Sequence, residues 1–477
     1  MDKLFAVAGE SDRRVFIKGL GWVGIGVLLS TMGGCEACRE AIENRPVRRR
    51  LRTGSPEVDA DVATYRDAVA QMKALPASDP RSFAAQAAIH GTVSGGFNFC
   101  QHGSDHFFSW HRAYLRFFEL ICQSLTGNSD FGLPYWNWNQ DNALTAAFTD
   151  PTSPLFHPRV NTSLAGNFAV SDTNLDTIFG DGNFLTFSSQ LEGSPHNTVH
   201  VVIGADMASG GSPLDPIFWA HHCMADYCWA KWNIELGNDN TNDSAWNDTS
   251  WSHFVDGDGN PTEITAALTT VMPLLAYRYE PSAVGSSPAA MITESMQELR
   301  TLEERIRRGA DVRFDVERRL RLAETAQFPL AAPFSSRPEI VAGELAQILD
   351  EPTTPEMVFV AIDYARLPSA NDFFVRVFLN LPEASRATPT DDPHFAGSFA
   401  FFGTHRDADE HQHKTDFLVN VTDTLRRLRS ADSLGDQVPI TVQLVAVPVA
   451  GELGPERGEL MMERVDLIVT PLITASP

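Results

Sequence analysis

Asp215-Pro216-Ile217-Phe218-Trp219-Ala220-His221-His222-Cys223-Met224-Ala225-Asp226 is the stretch whose reading decides the fold of this chain. An Asp-Pro pair ahead of an apolar run starts a helix, with Asp capping and Pro at the first helical position. That helix is expected to run through Tyr227 and Trp229 to Trp232 and to carry His222. Upstream lies Glu192-Gly193-Ser194-Pro195-His196-Asn197-Thr198-Val199-His200. Residues four apart share a helix face, so His196 and His200 can point at one ion, with His222 reaching it from the next helix.

A second trio precedes it. In Phe97-Asn98-Phe99-Cys100-Gln101-His102-Gly103-Ser104-Asp105-His106-Phe107-Phe108-Ser109-Trp110-His111-Arg112-Ala113-Tyr114-Leu115, two histidines stand nine residues apart. Nine residues of helix turn through about 900°, so His102 and His111 would face opposite sides of one helix. His102 therefore belongs in a loop, with Ser104 or Asp105 capping a helix that carries His111 on to Cys122. His90 ends an alanine-rich helical stretch from Arg81, stopped by Gly91.

Three imidazoles per ion, with no Glu-x-x-His pair on these helices, favour two copper ions over a carboxylate-bridged di-iron centre. Two adjacent three-histidine ions point to a dinuclear copper site that binds dioxygen. The constellation resembles the type 3 copper proteins: tyrosinases, catechol oxidases (polyphenol oxidases) and haemocyanins. Trp110-His111-Arg112-Ala113-Tyr114-Leu115 and Asp215 through Asp226 are similar to the two copper-binding signatures of that family. Met72-Lys73-Ala74-Leu75-Pro76 with Asp79-Pro80-Arg81-Ser82-Phe83 is similar to plant polyphenol oxidases ahead of their first copper histidine.

The resemblance implies further roles. Cys100, two before His102, is similar to the Cys-x-His arrangement that forms a thioether to the histidine ring in fungal and molluscan relatives. Plant enzymes instead carry cysteines just after the first histidine, where this chain has Gly91-Thr92-Val93-Ser94. Glu192 and Asn197 resemble the pair that holds a water able to deprotonate a monophenol. Ser209-Gly210-Gly211 falls where some catechol oxidases carry a bulky Phe, so small residues there imply an open substrate mouth. Arg112 and Asp226 are expected to support the ligands. His106 and His221, beside ligands, are expected to pack or hydrogen-bond, and His157 and His253 lie in loop-like sequence without evident partners. His405 and His411-Gln412-His413 read as a solvated loop.

The chain has 477 residues and a formal charge of −24, enough for two or three domains and unsuited to nucleic acid or an anionic membrane surface. Residues 1–34 read as an export signal: Arg13-Arg14-Val15-Phe16-Ile17-Lys18 before an apolar stretch too short to span a membrane resembles a twin-arginine signal. The expected location is periplasmic or extracellular. Cys35 is either the acylated residue of a loose lipoprotein box or, after ordinary cleavage, a cysteine free for disulfides with Cys38. Cys122, Cys223 and Cys228 read as buried thiols on the copper-bearing helices, and the arginines at 45–52 as a linker or structural clamp.

After Trp251-Ser252-His253 the sequence changes character. Residues 291–324 are charged and helix-prone, with Met296, Leu299, Leu302 and Ile306 at helical spacing. From Glu356 the runs are β-rich: Val358–Ala361, Phe373–Leu379, Gly397–Phe402, Ile440–Val447 and Arg464–Val469, with Val421-Thr422-Asp423 capping a short helix through Leu428. This part resembles the β-sandwich of plant polyphenol oxidases, which in that family lies over the copper site and can hold the enzyme latent. The expected architecture is a linker at 35–60, a helical four-helix-bundle dicopper domain at 61–280, a linker with a helix at 281–355 and a β-sandwich at 356–477. The implied activity is oxidation of small phenolic substrates by O2, with a haemocyanin-like oxygen carrier as the alternative.

Overall fold

The computed structural model describes residues 44–280, except 95 and 242, and 318–470, except 337–339, 351–355, 367–371, 403–415, 452 and 454–458. The export signal, Cys35, Cys38, the apolar positions Met296 to Ile306 and the histidines at 405, 411 and 413 lie outside the described residues.

The first unit is helical. Its principal helices are α1 (Pro56–Ala74), α2 (Phe83–His90), α3 (Phe107–Thr126), α4 (Phe184–Leu191), α5 (Asn197–Ile203) and α6 (Ile217–Ala230). The Ser82 side chain caps α2 by accepting from Ala85 N, and Gly91 ends it. Asp215 accepts from Ile217 N at the start of α6. At α3 the expectation differs: neither Ser104 nor Asp105 caps the helix, whose first residue follows His106. Ser104 Oγ instead accepts from His106 N within the preceding turn. The helices bury one core that includes Trp110, Trp219, Trp229 and Trp232.

The arginine-rich segment is part of this unit and not a linker. Strand β1 (Val47–Arg48) pairs in parallel with β2 (Arg278–Tyr279), which joins the two ends of the helical region. Arg48 is fully buried, bonded through Nε to Glu119 on α3 (2.9 Å) and through Nη1 to Asp226 on α6 (3.0 Å), with its guanidinium over the Tyr277 ring. Burial of two carboxylates is tolerable only with such partners. Arg49, Arg50 and Arg52 pair with Asp61, Asp141 and Glu280. Cys122, Cys223 and Cys228 are buried free thiols.

The second unit is a β-sandwich. One sheet orders β8 (Asp416–Asn420), β5 (Met357–Arg366), β10 (Glu459–Thr470) and β3 (Arg318–Pro329). The other orders β7 (Phe395–Ala400), β6 (Phe373–Leu379), β9 (Val442–Pro448) and β4 (Phe334–Ser335), and every pairing is antiparallel. Alternate residues Val358, Val360, Ile362 and Val375, Val377, Leu379 meet in a core of their own. Helix α7 (Thr422–Ser430) follows β8.

Strand β3 corrects the boundary at 356. Residues 318–324, read from composition as the end of a charged helix, are extended and paired with β10. In Leu320-Arg321-Leu322-Ala323 the local period is two: Leu322 enters the core while Arg321 bonds Asp466 on the neighbouring strand.

Candidate metal centre

Each trio of histidines is drawn from separate elements. His90 is the last residue of α2, His102 lies in the turn before α3, and His111 is one turn into α3. His196 ends a kinked turn, Glu192–His196, in which Ser194 leaves helical geometry (φ −165°, ψ 119°), while His200 lies on α5 and His222 on α6. All six are buried.

Hydrogen bonds at Nδ1 fix five of the rings. His90 donates to Gly210 O (2.8 Å), His111 to Phe107 O (2.7 Å) and His200 to Met207 O (2.8 Å). His102 donates to Glu192 Oε1 (3.0 Å) and His196 to Asn197 Oδ1 (2.9 Å). With Nδ1 carrying the hydrogen, Nε2 of each neutral ring presents its lone pair. Those lone pairs converge: His90 and His102 Nε2 are 3.3 Å apart, and His196, His200 and His222 Nε2 lie 3.2–3.3 Å from one another. Facing acceptors repel unless a cation lies between them, so these donor sets fit metal ions. Burial, reinforced by neighbouring imidazoles, pushes the pKa values of His102, His111, His200 and His222 well below normal and that of His196 to about 3. The neutral, ligating form is favoured.

His221 also lies within the second cluster. Its Nδ1 accepts from Trp138 Nε1 (2.9 Å), which puts the ring hydrogen on Nε2, and the ring stacks on His196 at 5.0 Å. It packs against a ligand set without offering a free lone pair. His106 stacks on Trp246. His157 and His253 do have partners: His157 Nε2 meets Asp206 at 2.8 Å, and His253, on the strand Ser250–Val255, accepts from Trp110 Nε1 at 2.9 Å.

The Cys100 sulfur joins the first cluster, 3.5 Å from His111 Nε2. Glu192 also accepts from Gly103 N at 2.7 Å, and burial raises its pKa to about 8. Arg112 and Asp226 bond each other across α3 and α6, so their support is to the helices that carry His111 and His222. The loop at 209–211 is tightly packed behind His90. Gly210 is buried so tightly that a Cβ there would lie 2.3 Å from Gly96 O, and its carbonyl orients His90. Ser209 Oγ is turned to Asp206 O.

One residue at the centre was not foreseen. Phe402, from the β-sandwich, stacks on His200 (centroids 3.8 Å apart, planes 19° apart) and meets His102 edge-on at 4.8 Å. Alternation along the chain explains it. Phe399 and Phe401 turn into the sandwich core, whereas Phe402 joins the core of the helical unit. The Ala400 carbonyl accepts from Asn197 Nδ2 at 2.9 Å. An outward aromatic at the end of a strand was the available signal.

Two family models match the chain: the common central domain of tyrosinase over residues 80–156 and 148–235, and the chloroplastic polyphenol oxidase C-terminal domain over residues 350–455. The chain carries a tyrosinase-type central domain followed by a polyphenol oxidase-type C-terminal domain. It is similar to tyrosinase HcTyr1 of Hahella sp. (strain CCB-MM4), 31% identical over 47% of this chain and 61% of that protein. Against (+)-larreatricin hydroxylase of Larrea tridentata it is 26% identical over 86% of this chain and 77% of that protein. Its fold is that of latent apple tyrosinase (TM-score 0.61, 22% identity, 89% of this chain and 97% of that one) and of an octopus hemocyanin functional unit (TM-score 0.56, 17% identity, 89% and 100%). A tyrosinase-type central domain with two buried histidine clusters is compatible with a dinuclear copper centre.

Proposed function

We propose that this chain is a copper-dependent oxidase that converts o-diphenols, with O2, to o-quinones, and that its β-sandwich holds it latent. The placement of Phe402 on His200 carries the second half of this reading. The convergent Nε2 atoms and the tyrosinase and the hydroxylase among its relatives support the first. His90, His102 and His111 would hold one copper, and His196, His200 and His222 the other. When bound, the pair supplies the two electrons that dioxygen needs, without releasing a radical.

The chain's own residues supply the rest. Glu192 and Asn197 would hold a water that accepts the proton of a monophenol. While the sandwich is docked the Asn197 amide is committed to Ala400 O, so removal of the sandwich frees that group and the face of His200 together. Cys100 would be cross-linked to His102 and fix the ligand that no helix holds; mass spectrometry of the peptide, against Cys100→Ser, tests this. Export through the twin-arginine-like signal would deliver the protein already folded, to the periplasm or beyond.

The testing experiment measures copper per chain and oxygen uptake with catechol and with a monophenol, before and after limited proteolysis. Copper at both sites with turnover that rises on cleavage supports the reading. Reversible oxygen binding without turnover in either form identifies a carrier. His196→Ala and His222→Ala are each expected to lose the second copper; full copper content and activity in both would refute the ligand assignment.

A further inference from the structure

A cavity of about 170 Å³ lies between the two units, away from the histidines. The loop 163–168 and Val202 of α5 form one side; Phe374, Arg376, Phe395 and Ser398 of the sandwich are on the other. At roughly 10–15 Å³ per water-sized position, this is room for on the order of ten waters, or for a single-ring organic molecule.

Its chemistry is specific. Arg376 is half-buried and has no acidic partner among the described residues: Nη1 donates to the carbonyls of Thr388 (3.0 Å) and Arg386 (3.4 Å), while Nε is buried without a bond. A guanidinium out of bulk water gains most from a carboxylate. Around it, Phe374, Phe168 and Phe395 offer aromatic walls, with Phe168 and Phe395 already in edge-to-face contact across the units at 4.6 Å. Apolar walls beside one unpaired cation match a molecule with a flat ring and a single negative charge.

We propose that this cavity binds a small aromatic monocarboxylate, and that the bound molecule locks the sandwich in place. The second part rests on the latency proposed above. Ser398 lies on β7, the strand that leads through Ala400 to Phe402, and Val202 lies on α5, the helix that carries His200. A ligand between them touches both walls only while the units are docked. A ligand with affinity for the docked state alone shifts the equilibrium toward it, by about tenfold at ten times its dissociation constant.

The test uses copper-loaded, uncut protein with benzoate as probe and benzyl alcohol as its uncharged counterpart. Calorimetry is expected to give one benzoate per chain, no heat with benzyl alcohol, weakened binding in Arg376→Lys and none in Arg376→Gln. Ala165→Phe, which fills the cavity from the other wall, should abolish binding as well and guards against a folding defect in the arginine variants. Saturating benzoate should slow proteolytic activation about tenfold in the parent and leave Arg376→Gln unaffected. Equal benzoate binding in parent, Arg376→Gln and Ala165→Phe would place the acid elsewhere, the copper site included, and overturn the proposal. Binding lost in those variants with no change in cleavage rate would overturn the lock. Failure of latency itself is read separately, from the activity of Phe402→Ala, and leaves the calorimetry untouched.

Discussion

Phe402 and His200 lie face to face, 3.8 Å between centroids, although one belongs to a strand-rich unit and the other to a helical bundle. A ring in that position excludes water and any second aromatic ring from the same imidazole face. Under the latency proposed above, Phe402 would take the place of a planar phenol on that face.

Replacing that ring is the direct test of latency. Burial of a Phe side chain contributes about 1.5–3 kcal/mol, so Phe402→Ala should weaken closure by about one to two orders of magnitude. Oxygen uptake with catechol by the uncut variant should rise accordingly. If uptake stays at the parental level, Phe402 is not the barrier.

Glu192 is bonded to both His102 Nδ1 and Gly103 N, which gives it a structural duty beside its proposed role with water. Glu192→Ala should lower copper affinity about 10–100-fold, the usual cost of removing a ligand's hydrogen-bond partner. Glu192→Gln keeps an acceptor oxygen and should retain copper while losing monophenol turnover selectively. Equal loss of monophenol and diphenol activity in Glu192→Gln would argue against the water-holding role.

Arg48 ties the start of the described chain to Glu119 and Asp226. Burial disfavours the Asp226 carboxylate, but Arg112 and Arg48 outweigh it and lower its pKa. Arg48→Met leaves each carboxylate one remaining arginine, so the cost should sit near the low end for a broken buried pair, about 3 kcal/mol. For a unit of this size that is roughly 10 °C in Tm. A thermal melt displaced by less than about 2 °C would contradict the clamp.

Asp181 is the opposite case. Burial raises its pKa to about 6, against hydrogen bonds from Thr186, Gln190 and the backbone of Asn183 and with no cation beside it among the described residues. Because the folded value lies above the unfolded one, ionisation costs stability, of order 2–3 kcal/mol, fully felt above about pH 6 and relieved as pH falls toward 4. Asp181→Asn should therefore gain stability relative to the parent as pH rises from about 4 to about 7. Parallel denaturant titrations at both ends of that range measure the difference, and a constant offset would show that Asp181 does not ionise in this window.

The local grammar of the helices was legible in the sequence. Helix period placed His196 and His200 together, excluded His102 from the helix of His111, and ended α2 at His90 because Gly91 follows it. Strand alternation likewise marked Phe373–Leu379 to the residue. Charge content misled at 318–324, where arginines that suit an exposed helix face instead alternate with core leucines on β3.

What sequence alone determined is which residues face the same way within one element, because that depends only on backbone period. What only the tertiary structure decided is which elements meet. It set Gly210 against Gly96 as a wedge behind His90, Arg48 between two helices, and Phe402 on His200. Those contacts join residues remote in the chain: the first two follow from how the helices of one unit pack and the third from how the sandwich docks on it, and no local periodicity carries a signal for either.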